Sequence, residues 1–155
     1  MPYRDATICA KGHVLSETQM NSQPRCDKCG AEAISCCPHC QSVFRGKKYS
    51  DGLVGPGKKI VFPYYCYSCG KPLPWTETLI ENAIELLSLD IELDNAAKTA
   101  IRASIPDLIV ESISTPVATA KFKKQLDRTG EATKNLIYQL FVDVVSSAIS
   151  TALFK

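Results

Sequence analysis

The sequence predicts a small zinc-stabilised, β-rich N-terminal part with two consecutive zinc-ribbon or knuckle sites, followed by an all-α C-terminal part. Three observations predict it. All eight cysteines and both histidines fall within the first 69 residues. Eight of these side chains stand in four pairs at metal-ligand spacing. After Pro72-Leu73-Pro74-Trp75 there is no cysteine, Gly130 is the one glycine, and apolar residues recur at helical spacing. These changes place a zinc-binding domain at 1–75 and a helical domain, for oligomerisation or partner binding, at 76–155.

The four pairs are Cys9-x₃-His13, Cys26-x₂-Cys29, Cys37-x₂-Cys40 and Cys66-x₂-Cys69. A two-residue gap lets one tight turn aim both sulfurs at a single ion. Gly30 and Gly70 directly follow two of these turns, where left-handed backbone is often required. A tetrahedral ion takes two pairs, so four pairs make two closed sites and call for two Zn²⁺ ions. Tetrahedral thiolates also accept iron.

Two pairings satisfy the spacing. Sequential pairing gives Cys9, His13, Cys26 and Cys29 at one site and Cys37, Cys40, Cys66 and Cys69 at the other. Interleaved pairing joins the first pair with the third. The intervening stretches favour the sequential scheme. Residues 14–25 suit a hairpin arm, and Ser42–Arg45 with Lys59–Phe62 read as two strands around the loop Asp51–Gly57. Cys36 would give the wrong knuckle spacing and reads as a spare thiol. His39 sits inside a knuckle, where the side chain faces solvent.

The thiols point to a reducing compartment, the cytoplasm, where paired cysteines serve as metal ligands more often than as disulfides. Met1-Pro2-Tyr3-Arg4-Asp5 leads into no apolar signal segment. No stretch reaches the roughly 20 apolar residues of a bilayer span, because Gln139 and Asp143 interrupt the best one.

The expected helices follow in order. Leu79, Ile80, Ala83, Ile84 and Leu87 mark a helix over about 76–89, with Thr76 or Thr78 as its cap and Glu81 completing a capping box with Thr78. Asp94 caps a second helix through about Ser104, which Pro106 breaks or restarts as a short piece to Glu111. Thr115-Pro116 starts a third, to about Arg128. Beyond Gly130, Leu136, Ile137, Leu140, Phe141, Val144, Val145, Ala148, Ile149 and Leu153 form one broad apolar face, in one helix or two. Such a face packs within its own domain or meets a second copy or partner helix.

Residues Asp5-Ala-Thr-Ile-Cys9, Gly12-His13-Val14, Cys26-x-x-Cys29-Gly30, Cys37-Pro-x-Cys40 and Arg45-Gly46 also form a pattern. With them goes the specific segment Cys66-x-x-Cys69-Gly70-Lys71-Pro72-x-Pro74-Trp75-Thr76-Glu77. Together with Thr115-Pro116, Lys121-Phe122-Lys123-Lys124 and the final amphipathic stretch, it resembles a bacterial zinc-ribbon family known only as a domain of unknown function. The likeness spans essentially the whole chain. It implies Cys37 rather than Cys36 as ligand, and it implies no activity.

The functional expectation is a non-enzymatic bacterial zinc-ribbon protein that binds a protein partner or self-associates through its C-terminal helices. Four protein ligands per ion leave no open position for water or substrate. No nucleophile with a base, phosphate loop or carboxylate pair stands out, and no small-molecule substrate is evident. Tyr64, Tyr65, Tyr67 and Trp75 are candidate contact residues, although Trp75 equally suits a pin between ribbon and first helix. The alternative is nucleic-acid binding by Arg45, Lys47, Lys48, Lys58 and Lys59, with Tyr49 and Phe62 as stacking rings. Residues 1–75 carry ten basic and five acidic side chains. A Cys₃His and a Cys₄ zinc site would reduce that excess of +5 to about +2, too little to imply a phosphate partner by itself.

Overall fold

The computed structural model describes residues 3–18, 23–48 and 62–155. It divides into two compact units, Met1–Thr78 and Leu79–Lys155.

The first unit is built from very short strands: β1 (Tyr3–Asp5), β2 (Thr7–Cys9), β3 (Val14–Ser16), β4 (Ala33–Ile34) and β5 (Arg45–Lys48). β2 is the central strand of a three-stranded antiparallel sheet, order β3-β2-β4, and all three of its residues are buried. β1 pairs antiparallel with β5, with Tyr3 opposite Lys48 and Asp5 opposite Arg45. The expected strand at Ser42–Arg45 therefore lies slightly later, and its partner among the described residues is the N-terminal strand. Residues 59–61 of the expected return strand at 59–62, the loop at 51–57, Tyr49 and Lys58 lie outside the described residues, and Phe62 stands in no strand.

The core of this unit is small. Ala6, Ile8, Phe44 and Leu73 pack with the ligand side chains Cys37 and Cys66, and Ile34, Phe62 and Trp75 close over them. Trp75 meets Phe44 edge-on at 5.8 Å, and its indole N–H donates to the Pro63 carbonyl at 3.1 Å. Thr76, fully buried, donates to the Tyr64 carbonyl at 2.6 Å. Trp75 and Thr76 are thus packing residues of the ribbon.

A helix α1 (Pro74–Ser88) begins two residues before the expected start. Pro74 takes the first helical position, where its missing N–H costs nothing. The expected capping box does not form: Thr78 donates its hydroxyl back to the Pro74 carbonyl at 3.0 Å, and Glu81 pairs with Arg102 at 2.6 Å.

The second unit continues with α2 (Asn95–Ile109), α3 (Thr115–Leu126), α4 (Glu131–Phe141) and α5 (Ser147–Phe154). Asp94 caps α2 as its sequence implied, accepting the Ala97 N–H at 2.7 Å. Pro106 does not break this helix. An interior proline costs about 3 kcal/mol. Burial of Ile105, Leu108 and Ile109 around it outweighs that, at about 1.5–3 kcal/mol for each side chain.

Ser146 divides the last apolar stretch by capping α5, its hydroxyl accepting the Ile149 N–H at 3.4 Å. Ile137, Phe141, Val145, Ile149 and Leu153 face inward, and Phe141 meets Phe122 edge-on at 5.5 Å. Most of the broad face is therefore consumed by the unit's own core. Among the described residues, no helix is long and apolar enough to cross a membrane.

Candidate metal centres

Three of the ligand pairs sit on copies of one turn. In each, the N–H of the first cysteine donates to the carbonyl five residues on: Cys26 to Ala31 at 2.8 Å, Cys37 to Ser42 at 2.9 Å and Cys66 to Lys71 at 2.9 Å. The carbonyl of that same cysteine accepts the N–H four residues on, from Gly30, Gln41 and Gly70. Those three residues hold φ values of 70°, 62° and 71°. The turn buries the first sulfur of each pair and leaves the second nearer solvent. The fourth pair rides on β2 and the turn after it. There the Cys9 N–H donates to the His13 carbonyl at 2.8 Å, and the His13 N–H reaches the Cys9 sulfur at 3.3 Å.

These turns assemble two clusters in chain order. Cys9, His13, Cys26 and Cys29 form one; Cys37, Cys40, Cys66 and Cys69 form the other, with ligand atoms within 4.8 Å of one another in each. The interleaved arrangement is not adopted. In the second cluster, Cys37 and Cys69 sulfurs lie 3.8 Å apart and Cys40 and Cys66 sulfurs 3.7 Å apart. In the first, the Cys9 and Cys29 sulfurs are 3.7 Å apart, and His13 Nδ1 lies 3.2 Å from Cys29, 3.5 Å from Cys9 and 3.8 Å from Cys26.

Those separations identify the chemistry. A disulfide would bring two sulfurs to about 2.05 Å. Two sulfurs bound at about 2.3 Å to one tetrahedral ion stand about 3.8 Å apart. Both donor sets therefore fit a tetrahedral ion with N and S ligands, through Nδ1 in the case of His13. Cys36 belongs to neither cluster; its backbone pairs with Val43 beside the second. His39 is exposed and likewise outside both.

The second cluster contains a residue that the spacing of ligands did not reveal. Ser42 Oγ lies 3.0 Å from the Cys40 sulfur and 3.3 Å from the Cys66 sulfur. Burial disfavours the Cys66 thiolate. The Ser42 hydroxyl and the N–H groups of Cys69 and Ser68 together outweigh it and bring Cys66 down to about 6. Cys69 moves the other way. The Lys71 N–H favours its thiolate, but burial and the sulfurs of Cys40, Cys66 and Cys37 together push it up to about 11. Four thiols gathered this closely cannot all ionise by themselves; a divalent cation removes the repulsion and makes the set stable.

Of the five basic residues singled out in the sequence, Arg45, Lys47 and Lys48 are among the described residues, and two of these three are engaged. Arg45 lies over the Tyr67 ring at 3.6 Å and the Tyr3 ring at 5.2 Å, and Lys47 pairs with Glu17 at 3.0 Å. Lys48 is exposed.

Small strands carrying two four-residue Cys/His clusters that could each hold a metal ion, followed by five helices among the described residues, define a two-part architecture. The chain belongs to the family described as "Uncharacterized protein conserved in bacteria (DUF2321)", whose model matches residues 2–153. No curated protein and no solved structure matches it.

Proposed function

We propose that the chain is a non-enzymatic bacterial zinc protein in which two Zn²⁺ ions hold the first unit folded, while the C-terminal helices bind a protein partner or a second copy of the chain. The observation that carries the metal reading is the 3.7–3.8 Å spacing of sulfurs that are not disulfide-bonded. Closed sites of four protein ligands leave no coordination position for a reacting group, which supports scaffold over catalyst. The nitrogen ligand in the first cluster favours zinc over an iron–sulfur centre there, since such centres are held mainly by thiolates.

The partner-binding part draws on exposed apolar side chains. Val110, Ile113 and Val117, around the α2–α3 turn, are 51%, 100% and 57% exposed. The nucleic-acid reading draws less support, because Arg45 and Lys47 already have partners within the chain.

Metal analysis of the purified chain tests the first claim, with two equivalents of zinc expected and one or none overturning it. Light scattering and affinity capture test the second. A complex that is lost in Ile113→Asp with Val117→Asp is expected. A strictly monomeric chain with no specific protein partner stands against it.

A further inference from the structure

The three knuckle turns provide their own comparison. The position two residues after the second cysteine is Ala31, Ser42 or Lys71, and in each turn its carbonyl accepts the N–H of the first cysteine. The turn thus uses only the backbone there. Ala31 establishes that no hydroxyl is needed to form it, so the Ser42 side chain is available for something else. It lies between sulfurs of two different knuckles, 3.0 Å from Cys40 and 3.3 Å from Cys66.

The need for such a donor differs between the sites. With a divalent ion, three thiolates and a neutral imidazole leave the first site at −1, whereas four thiolates leave the second at −2. The second site is also the more open, since both Cys40 and Cys69 are exposed while Cys29 is half-buried. Excess negative charge on exposed sulfur favours protonation, attack by electrophiles and loss of the ion. A hydroxyl proton shared between Cys40 and Cys66 withdraws electron density from both and ties the two knuckles together.

We infer that Ser42 is a positioning residue of the four-cysteine site, holding Cys40 and Cys66 through its hydroxyl and thereby slowing loss of the metal ion. This rests on the reading of that cluster as a metal site. Outer hydrogen-bond partners of metal ligands typically contribute about 10–100-fold in affinity.

The experiment loads the full chain with Co²⁺ and with Zn²⁺ and compares the parent with Ser42→Ala and Ser42→Thr. Two equivalents in the parent establish the metal reading; fewer would overturn that reading, whatever the variants do. Ser42→Ala is expected to keep two equivalents, since Ala31 makes the same turn. It should release one of its ions to a chelator at least about tenfold faster, while the other leaves at the parental rate. Its sulfur-to-cobalt charge-transfer band should move to lower energy, because an unbonded thiolate is easier to oxidise; a purely structural role would not move that band. Ser42→Thr should restore both. A fully loaded Ser42→Ala with parental band and release rates overturns the inference. Should Ser42→Ala fail to fold, NMR of the cadmium-loaded parent decides. Scalar coupling between the metal and the Ser42 hydroxyl proton is expected, and its absence overturns the inference.

Discussion

The Asp90 carboxylate accepts the N–H of Gly130, 40 residues away, at 2.9 Å. Gly130 is the N-cap of α4 and has no side chain with which to cap it. Asp90, just beyond α1, supplies the missing acceptor and also takes a hydrogen bond from Thr133 in the first turn. A negative charge at this helix end is further favoured by the exposed N–H groups. A side chain at position 130 would crowd the carboxylate, since a Cβ there would sit 3.3 Å from Asp90 Oδ2.

The Thr133 hydroxyl and then the Gly130 N–H hold the Asp90 carboxyl below its ordinary value of 3.8. A depressed carboxyl pKa means that the folded state prefers the ionised form. Its stabilising effect is therefore complete above the ordinary value and is lost as pH falls through the lower folded one. Asp90→Asn should lower the melting temperature by a few degrees at pH 7, and the gap to the parent should begin to narrow only below about pH 4 and close as pH falls through the lower folded value. Equal melting temperatures at pH 7 would refute this capping role.

Chelation should unfold the first unit and spare the second. The buried cluster of the first unit holds six residues, two of which are ligand cysteines, so little apolar burial remains once the ions are gone. In sites of this kind metal-binding energy is folding energy. The second unit buries Ile101, Ile105, Leu108, Phe122, Leu126, Ile137 and Phe141 essentially completely. Helical circular dichroism should therefore persist with a strong chelator while amide dispersion from residues 3–48 collapses. Ribbon amides that stay protected in metal-free protein would contradict it.

Cys36 offers a control on ligand assignment. It neighbours a ligand in sequence, yet the second cluster is complete with Cys37. Cys36→Ser should retain two equivalents of metal and melt within about 0.5 kcal/mol of the parent, as side chains outside special features usually do. Cys66→Ala should lose one equivalent and leave much of the chain insoluble. Loss of metal in Cys36→Ser would reverse the assignment.

Ligands were legible from the sequence because a knuckle is local: sulfur placement depends on a turn of a few residues, and that turn requires the spacing. The α2 cap was legible for the same reason, Asp94 acting on Ala97 three residues away. What was missed is non-local. The pairing of β1 with β5 and the capping of α4 by Asp90 both depend on residues far apart in the chain. Pro106 misled because a local rule, that proline ends helices, was overridden by burial of Ile105, Leu108 and Ile109. Ser42 was readable in principle, as a hydroxyl two residues beyond a ligand, but its second sulfur belongs to another knuckle.

Gly46 should resist any substitution. It lies buried in β5, and a methyl built there would collide with the Glu17 carbonyl oxygen and crowd that of Asp5. The neighbouring Lys47 N–H donates to that same Glu17 carbonyl at 2.8 Å, which fixes the backbones at close range. A glycine within a strand often marks such an approach. Gly46→Ala should cost about 1–3 kcal/mol, the usual range for overpacking. Thermal melts of the zinc-loaded protein would measure it, and a neutral result would show that the Glu17 segment moves away freely.

The knuckles invite one stabilising change. Gly30, Gln41 and Gly70 occupy the same left-handed position, and only Gln41 carries a side chain there. Left-handed backbone costs a residue with a Cβ roughly 1–2 kcal/mol, whereas glycine adopts it freely at an unfolded-state entropy cost of roughly 0.5–1 kcal/mol. The difference favours glycine. The Gln41 amide recovers little, reaching the Pro38 carbonyl only at 3.4 Å. Gln41→Gly should therefore raise stability by up to about 1 kcal/mol. Gly30→Ala and Gly70→Ala should lower it by up to about 1 kcal/mol on the same balance, although open space surrounds both positions. Because no contact distinguishes the glycines from alanine there, the pair isolates backbone strain. Parental stability in both alanine variants would mean that the turns relax to another φ.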